Sequence, residues 1–323
     1  MSMNREIKYL TSAEIDREKI LLLIDASIQA YNAFDKDNPD NCNRENITPP
    51  TGYELIDFWI GIDAIFNHHK QVECYGIVFR SYQAPYTYIF AFRGTDCFED
   101  LCDDFGCNHT SFKAYKKDVV VPPEVKVESG FGHIYTDIDH HIPSMQHQLF
   151  ELIDRYLAST KPIDKLYVTG HSLGCTLCTM FALDLALSRP EIKVINYNFA
   201  SPQVGNKAFV DFYQQQSAQQ DPETRTIRVQ NVYDKVTCTP LTIQGYEHLS
   251  YAYLIAFFRN NLTGNLNIVD NHSVENYKKV LECSFDSVEG LCDVTFKGYR
   301  NKNIKSVPPK SAAIVHFESL MCI

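Results

Sequence analysis

The residues from Lys165 to Ser188, KLYVTGHSLGCTLCTMFALDLALS, decide the fold of this chain. The apolar run from Lys165 to Thr169 predicts a short buried strand, and the run from Cys175 to Ser188 predicts a helix that ends before Pro190. Between them stands Gly170-His171-Ser172-Leu173-Gly174, a G-x-S-x-G sequence. A serine in this setting predicts a sharp strand-to-helix turn that exposes its hydroxyl group.

This turn makes Ser172 the candidate nucleophile. The backbone is strained there, and glycines flank the serine because side chains at those positions would collide with the strand and the helix. The N–H group of Leu173 then lies at the start of the helix, where it can donate to the oxyanion of a tetrahedral intermediate. The alternative is a glycine-rich turn in which the serine only caps the helix.

Strands and helices alternate along the chain, which predicts an α/β fold with a mainly parallel central sheet and helices on both faces. We expect one domain over residues 1–323, with an N-terminal helix over residues 12–34 and a C-terminal extension of unknown role over residues 284–323. The polar, irregular stretch from Asp96 to Pro123 has the length of a functional lid. Further predicted helices are Tyr53–Phe66 and Ile142–Ala158, and further strands are Cys74–Tyr82, Thr87–Phe92, Val194–Ala200 and Thr226–Val232.

The composition argues against several classes of protein. The 323 residues carry a formal net charge of −10, and no cluster of lysine and arginine is long enough to bind nucleic acid. No apolar stretch reaches the roughly 20 residues that cross a membrane, and the N-terminus has no ordinary signal peptide. We therefore expect a cytoplasmic protein, or one exported by another route. The 11 cysteines are scattered, which favours free or buried thiols in a reducing compartment and predicts no metal site.

A nucleophilic serine needs an imidazole to accept its proton and a carboxylate to orient that imidazole. His272 lies in the loop setting that a base needs, whereas His248 stands beside an aromatic run and is equally compatible with a core histidine. Asp234 follows a predicted strand, where open α/β sheets collect functional groups, and it would raise the pKa of a neighbouring imidazole. The less favoured residues are His316, Asp211 and Asp221.

Six segments, in order, are similar to those of one known family. They are Phe92-Arg93-Gly94-Thr95, Ser129-Gly130-Phe131, Val168 to Gly174, Phe199 to Asn206, Asn231 to Val236, and Asn271-His272-Ser273 with Tyr277 after it. On these segments the chain resembles the class 3 lipases, which are fungal-lipase-like α/β-hydrolases, from about Gly52 to Leu281. Several ordered matches are far more specific than one pentapeptide.

The resemblance implies a catalytic triad of Ser172, Asp234 and His272, and it decides the base in favour of His272. It also implies that the backbone N–H of Thr95 is a second oxyanion donor beside Leu173. The lid of the family would lie over about Asp96 to Phe112 in this chain.

The activity that the resemblance implies is hydrolysis of a carboxylic ester through an acyl-enzyme, with no metal or organic cofactor. The expected partners are a lipid ester, either acylglycerol or phospholipid, or a small short-chain ester, with transient contact to a lipid surface; no nucleic acid and no stable partner are expected. Two alternatives stay open. One is a catalytically silent binding or regulatory module, and the other is acyl transfer to an alcohol or thiol by the same triad.

Overall fold

One large β-sheet with helices packed against it forms the centre of the computed structural model. The structure describes residues 7–63, 71–95, 108–138, 141–217, 221–240, 242–257, 268–286, 291–296 and 299–306. Its helices are α1 (Arg17–Asn32), α2 (Ser129–Thr136), α3 (Met145–Leu157), α4 (Leu173–Ser188), α5 (Lys207–Gln216), α6 (Ile268–His272) and α7 (Val274–Asp286). Its strands are β1 (Lys8–Tyr9), β2 (Tyr53–Asp63), β3 (Gln71–Ser81), β4 (Thr87–Phe92), β5 (His109–Ser111), β6 (Lys126–Glu128), β7 (Lys165–His171), β8 (Val194–Phe199), β9 (Gly205–Asn206), β10 (Ile227–Asn231), β11 (Tyr246–Glu247), β12 (Tyr251–Ala256), β13 (Leu291–Phe296) and β14 (Tyr299–Ser306).

The strand order of the large sheet is β13-β14-β12-β10-β8-β7-β4-β3-β2, with β1 paired to β12. Strands β4, β7, β8, β10 and β12 run parallel to one another. Antiparallel strands lie at both edges, β2 and β3 at one and β13 and β14 at the other. The prediction of a mainly parallel sheet is therefore confirmed. Strands β13 and β14 come from the C-terminal extension, of which residues 307–323 lie outside the described part of the chain.

Two hydrophobic cores lie on opposite faces of the sheet, because successive side chains of a strand point to opposite sides. On β4, the rings of Phe90 and Phe92 lie 5.7 and 5.8 Å from that of Phe181 on α4. Ile89 and Ala91 belong to the other core, which includes residues of α1 and α7. Helices thus cover both faces, as the alternation of elements predicts.

The predicted helix over Tyr53–Phe66 is wrong, because residues Tyr53–Asp63 form strand β2. This segment is rich in aromatic and β-branched residues, which favour a strand when a neighbouring strand is available. Strand β3 pairs with it in antiparallel register, and Trp59 lies opposite Gly76. A Cβ atom on Gly76 would lie 2.0 Å from the indole of Trp59, so only glycine allows this ring to pack on the sheet. Residues 64–66 lie outside the described part of the chain.

The N-terminal helix begins later than the sequence predicts. Thr11 and Glu14 form a capping box at a short helical turn over Ser12–Glu14, in which the Glu14 carboxylate accepts the N–H of Thr11 at 3.0 Å. Helix α1 begins after Asp16, whose side chain accepts the N–H of Lys19 at 3.0 Å. Within the described residues, no helix is both long enough and apolar enough to cross a membrane.

Part of the predicted lid belongs to a second, smaller sheet. Strand β5 pairs antiparallel with β6, and the described part of this sheet continues through β9 to β11. Phe112, at the end of the lid segment that the resemblance implies, is buried. Residues 96–107, which make up the rest of that segment, lie outside the described residues.

The expectation that the cysteines are thiols is wrong for Cys42, Cys74 and Cys283, which are disulfide-bonded. Cys42 and Cys74 form a disulfide that joins the loop after α1 to strand β3. A disulfide is typical of an oxidising environment, so the prediction of a reducing compartment loses its support. Cys175, Cys178 and Cys238 are buried thiols, as the sequence predicts.

Candidate active site

Ser172 stands at the sharp turn between strand β7 and helix α4. Its φ angle is +57°, in the left-handed region that residues other than glycine rarely adopt. The residue is fully buried, and its backbone N–H donates to the carbonyl of Phe199 on the neighbouring strand at 3.0 Å. Among the described residues its hydroxyl oxygen has no hydrogen-bond partner. A strained backbone and an unsatisfied buried hydroxyl are features that cluster at functional sites.

Close backbone approach explains the two glycines that flank the serine. A Cβ atom on Gly170 would lie 2.5 Å from the carbonyl carbon of Gly174. A Cβ atom on Gly174 would lie 2.4 Å from the carbonyl oxygen of Phe92, at the end of strand β4. Both contacts are with backbone atoms that cannot move aside, so the collision that the sequence predicts is present at both positions.

The segment Arg93-Gly94-Thr95 lies directly against the serine turn. A Cβ atom on Gly94 would lie 3.1 Å from the Cβ of Ser172, so a larger residue would push this segment away from the turn. The half-buried Thr95 follows at once, and Leu173 begins helix α4 on the other side of the serine. The structure therefore brings both predicted oxyanion residues to the neighbourhood of Ser172.

A buried arginine, Arg93, fixes the first residue of the segment Arg93-Gly94-Thr95. The guanidinium group of Arg93 forms an ion pair with Glu73 on strand β3. It also lies 3.8 Å above the ring centroid of Phe34, in a cation–π contact. Since Arg93 is only 2% exposed, water screens these interactions weakly, and the residue before Gly94 is fixed in place.

Asp234 and His272 form a buried, hydrogen-bonded pair. Asp234 follows strand β10, and His272 is the last residue of helix α6. The Nδ1 atom of His272 lies 2.7 Å from Oδ2 of Asp234. The hydroxyl of Tyr277 donates to the same carboxylate oxygen at 2.8 Å, and the N–H of Val236 donates to the other oxygen at 3.1 Å. Every carboxylate oxygen thus has a donor, which orients Asp234 toward the imidazole.

Contacts of His171, the residue before Ser172, place the Asp234–His272 pair next to the serine turn. The ring of His171 lies 4.5 Å from that of His272, centroid to centroid, and its Nε2 lies 2.7 Å from the backbone oxygen of His272. The hydrogen bond between the Ser172 hydroxyl and the His272 imidazole is not formed, because that hydroxyl makes no hydrogen bond within the described residues.

Strands β4, β7 and β10 are parallel, so Thr95, Ser172 and Asp234 all follow the carboxyl ends of strands at one edge of the sheet.

Burial shifts the acid–base properties of this pair. It lowers the pKa of His272 well below the usual histidine value, because a charged imidazolium is poorly solvated in the interior. Burial raises the pKa of the Asp234 carboxyl, and the hydrogen bonds from Tyr277 and Val236 oppose that rise. The sequence predicts that Asp234 raises the pKa of His272; the net shift of this pKa is downward, and its cause is burial.

The alternative candidates for the base and the acid have other partners where the structure describes them. His248 is half-buried, and its Nε2 lies 2.6 Å from the carbonyl of Thr237, as for a histidine satisfied by the backbone. Asp211 forms an ion pair with Lys207, one turn away on α5, at 3.0 Å. Asp221 accepts the N–H of Glu223 in a turn at 2.9 Å. His316 lies outside the described residues.

Sequence reasoning missed the roles of Tyr277 and His171. Tyr277 was noted only as part of a similar segment, and its hydrogen bond to Asp234 depends on the packing of α7 against the end of β10. His171 is the variable residue of the G-x-S-x-G sequence, which carries no signal of its own. Its contacts with His272 join residues 101 positions apart, so no local pattern could reveal them.

Relatives of known sequence support a family assignment. Residues 89–243 match the model of the family Lipase (class 3). The lipase of Rhizopus niveus is 26% identical over 227 residues, which cover 67% of this chain and 52% of that protein. Phospholipase A1-Ialpha2 of Arabidopsis thaliana is 30% identical over 129 residues, which cover 36% of this chain and 25% of that protein. The chain thus spans between a quarter and about half of the length of these curated relatives.

Solved structures of lipases have the same fold. Lipase II from Rhizopus niveus matches with a TM-score of 0.56 at 20% identity, over 81% of this chain and 86% of that chain. The Yarrowia lipolytica LIP2 lipase matches with a TM-score of 0.58 at 18% identity, over 85% of this chain and 92% of that chain. The chain thus has the α/β-hydrolase fold of these lipases, and its residues 89–243 match the model of the class 3 lipase family.

Proposed function

We propose that this protein hydrolyses carboxylic esters of lipids, with Ser172 as nucleophile, His272 as general base and Asp234 as the acid that orients the base. The observation that carries the proposal is the buried Asp234–His272 hydrogen bond of 2.7 Å beside a serine in strained backbone geometry. A serine hydroxyl attacks poorly unless a base takes its proton, and this pair supplies such a base.

The reaction begins when Oγ of Ser172 attacks the carbonyl carbon of the ester and Nε2 of His272 accepts the hydroxyl proton. The carbonyl oxygen becomes an oxyanion, which accepts hydrogen bonds from the backbone N–H groups of Thr95 and Leu173. The bond to the alcohol then breaks, and His272 returns the proton to the leaving oxygen. Water, deprotonated by the same imidazole, attacks the acyl-enzyme and releases the carboxylic acid with Ser172 restored.

A lipid ester is the proposed substrate class. Relatives that the chain matches are named lipase and phospholipase A1. Burial of Ser172 also favours an apolar acyl chain, because a substrate reaching it must leave water.

The test is labelling of the purified protein with a fluorophosphonate, together with fatty-acid release from a triacylglycerol emulsion and from phosphatidylcholine vesicles. An activated serine is labelled and a merely structural one is not, so we expect labelling at Ser172 and release from at least one lipid. Absence of both labelling and release contradicts the proposal and favours a silent binding module. Labelling with ester product formed only when an alcohol is added identifies an acyltransferase instead.

The acid assignment predicts the effect of Asp234→Asn. The amide no longer favours the imidazole tautomer that accepts the serine proton, so we expect kcat for p-nitrophenyl butyrate to fall by about a hundredfold. Asp211→Asn is the matched control, because Asp211 lies on α5 in a half-exposed ion pair with Lys207, and exposed pairs contribute less than about 1 kcal/mol. Equal activity of the two variants would mean that Asp234 is not the acid.

The base assignment predicts the pH dependence. The neutral imidazole of His272 is the active form, so kcat/KM should fall as the pH drops through its pKa. Burial lowers this pKa, and we therefore expect the midpoint of the acidic limb below about 6.5, the ordinary histidine value. The measurement is kcat/KM against pH with a soluble ester. A midpoint above the ordinary value would show that pairing with Asp234 outweighs burial.

A further inference from the structure

A chain of hydrogen bonds runs from the N-terminal helix to the backbone of His272. The hydroxyl of Tyr31, in the last turn of α1, lies 2.8 Å from Nδ1 of His171. The other ring nitrogen of His171, Nε2, lies 2.7 Å from the backbone oxygen of His272. His171 and His272 are both buried. The model of the family begins at residue 89, so α1 lies outside the segment that it matches.

The chemistry of the partners determines the direction of each bond. A carbonyl oxygen can only accept, so Nε2 of His171 carries the proton. Burial lowers the pKa of His171 to about 3, and the imidazole is therefore neutral near pH 7. Its Nδ1 is then an acceptor, and the hydroxyl of Tyr31 is the donor. The two hydrogen bonds therefore run in one direction, from the hydroxyl of Tyr31 to His171 and from His171 to the carbonyl of His272.

This path supplies a partner that the end of helix α6 lacks. The last carbonyl groups of a helix have no N–H partner within it, and His272 is the final residue of α6. The imidazole of His171 donates to this carbonyl and lies against the His272 ring at the same time. The hydrogen bond to Asp234 holds the side chain of His272, whereas the hydrogen bond from His171 holds the backbone of His272.

Tyr31 also lies against the oxyanion segment. A Cβ atom on Gly94 would lie 2.1 Å from the hydroxyl oxygen of Tyr31, so this group passes directly beside the backbone before Thr95. The same hydroxyl therefore touches the segment of Thr95 and, through His171, the serine turn and His272. Three segments that are distant in sequence thus meet at the hydroxyl of Tyr31.

We propose that His171 and Tyr31 are positioning residues that hold His272 in line with Ser172. The inference rests on the proposed function, because it assigns roles in that reaction. It goes beyond the triad in making the N-terminal helix part of the catalytic architecture. Misplacement of a reacting group by about 1 Å can cost about a hundredfold in rate, which is the size of effect that loss of such a support predicts.

The test compares His171→Phe, His171→Gln and Tyr31→Phe with the wild type in kcat, KM and fluorophosphonate labelling rate. Phenylalanine keeps a ring but donates nothing, so we expect His171→Phe to lower kcat and the labelling rate by about a hundredfold with KM unchanged. Glutamine can place an amide N–H where Nε2 stood, so His171→Gln should recover most of that loss. Tyr31→Phe should cause a smaller loss of kcat, again without a change in KM.

Tyr88→Phe is the matched control, because the hydroxyl of Tyr88 also donates to a backbone carbonyl, that of Lys161, at 2.5 Å, away from the serine turn. It should keep the wild-type kcat. An independent readout is the ¹⁵N NMR spectrum of His171, which should show the neutral Nε2–H form at neutral pH and a shift of Nδ1 in Tyr31→Phe. Should His171→Phe not fold, Tyr31→Phe and this spectrum still decide the question.

Several outcomes overturn the inference. Wild-type kcat in both His171→Phe and Tyr31→Phe would show that neither residue positions the base. Equal losses in the Phe and Gln variants, with KM raised, would indicate general damage to the fold. A wild type that neither labels nor hydrolyses esters contradicts the proposed function itself, and this result is read from the wild type alone, before any variant is compared.

Discussion

Replacing Ser172 with alanine is expected to lower kcat for p-nitrophenyl butyrate by about a thousandfold or more, because no other atom can form the acyl-enzyme. The stability of the fold should not decrease. Within the described residues the hydroxyl of Ser172 makes no hydrogen bond, so its removal breaks none and also removes a buried polar group. We therefore expect the melting temperature of Ser172→Ala to equal or exceed that of the wild type.

Both measurements are needed to interpret this variant. Activity is compared with that of Ser201→Ala, a buried serine whose hydroxyl donates to the adjacent Pro202 carbonyl and has no proposed role in the reaction. Ser201→Ala should remain active and reactive toward the fluorophosphonate. Turnover of Ser172→Ala near that of the wild type would eliminate Ser172 as the nucleophile, whatever the melting temperature.

Replacing His272 with alanine is expected to abolish both ester hydrolysis and fluorophosphonate labelling at neutral pH, with a loss of about a thousandfold or more. The serine loses the group that accepts its proton, so it no longer attacks a phosphonate or an ester. The carboxylate of Asp234 keeps its hydrogen bonds from Tyr277 and Val236, which limit the damage to the fold.

His248→Ala provides the matched control for this prediction. It also removes a histidine that is hydrogen-bonded within the fold, since the Nε2 of the half-buried His248 lies 2.6 Å from a backbone carbonyl. This variant should keep its labelling and the acidic limb of the pH profile. Rapid labelling of His272→Ala beside a folded but silent His248→Ala would identify His248 as the base.

Strand β7 and helix α4 could be predicted from local patterns because the signal for each lies within its own consecutive residues. Strand β7 and helix α4 are continuous apolar runs bounded by glycine or proline, and their observed bounds are close to the predicted ones. The segment Tyr53–Asp63 was different. Its apolar residues suit a helix or a strand, and only pairing with β3 decides between them.

The disulfide between Cys42 and Cys74 could not be predicted for a related reason. Cys42 and Cys74 are 32 residues apart, and 11 cysteines allow many pairings. Their approach depends on the loop after α1 crossing the end of β3, where the N–H of Cys74 donates to the carbonyl of Pro39 at 2.8 Å. Such a contact leaves no periodic trace in the sequence.

The sequence by itself determined the serine turn, because glycines stand two residues before and two residues after Ser172, at positions where no Cβ atom fits. It also narrowed the acid by its place after a predicted strand and the base by its loop setting, and the family resemblance selected Asp234 and His272. Only the tertiary structure shows the contact between them, since Asp234 and His272 are 38 residues apart and share no element. The same holds for the support of His272 by Tyr31 and His171. Contacts between distant segments depend on how the sheet orders its strands, and side-chain periodicity reports only which face of an element is buried.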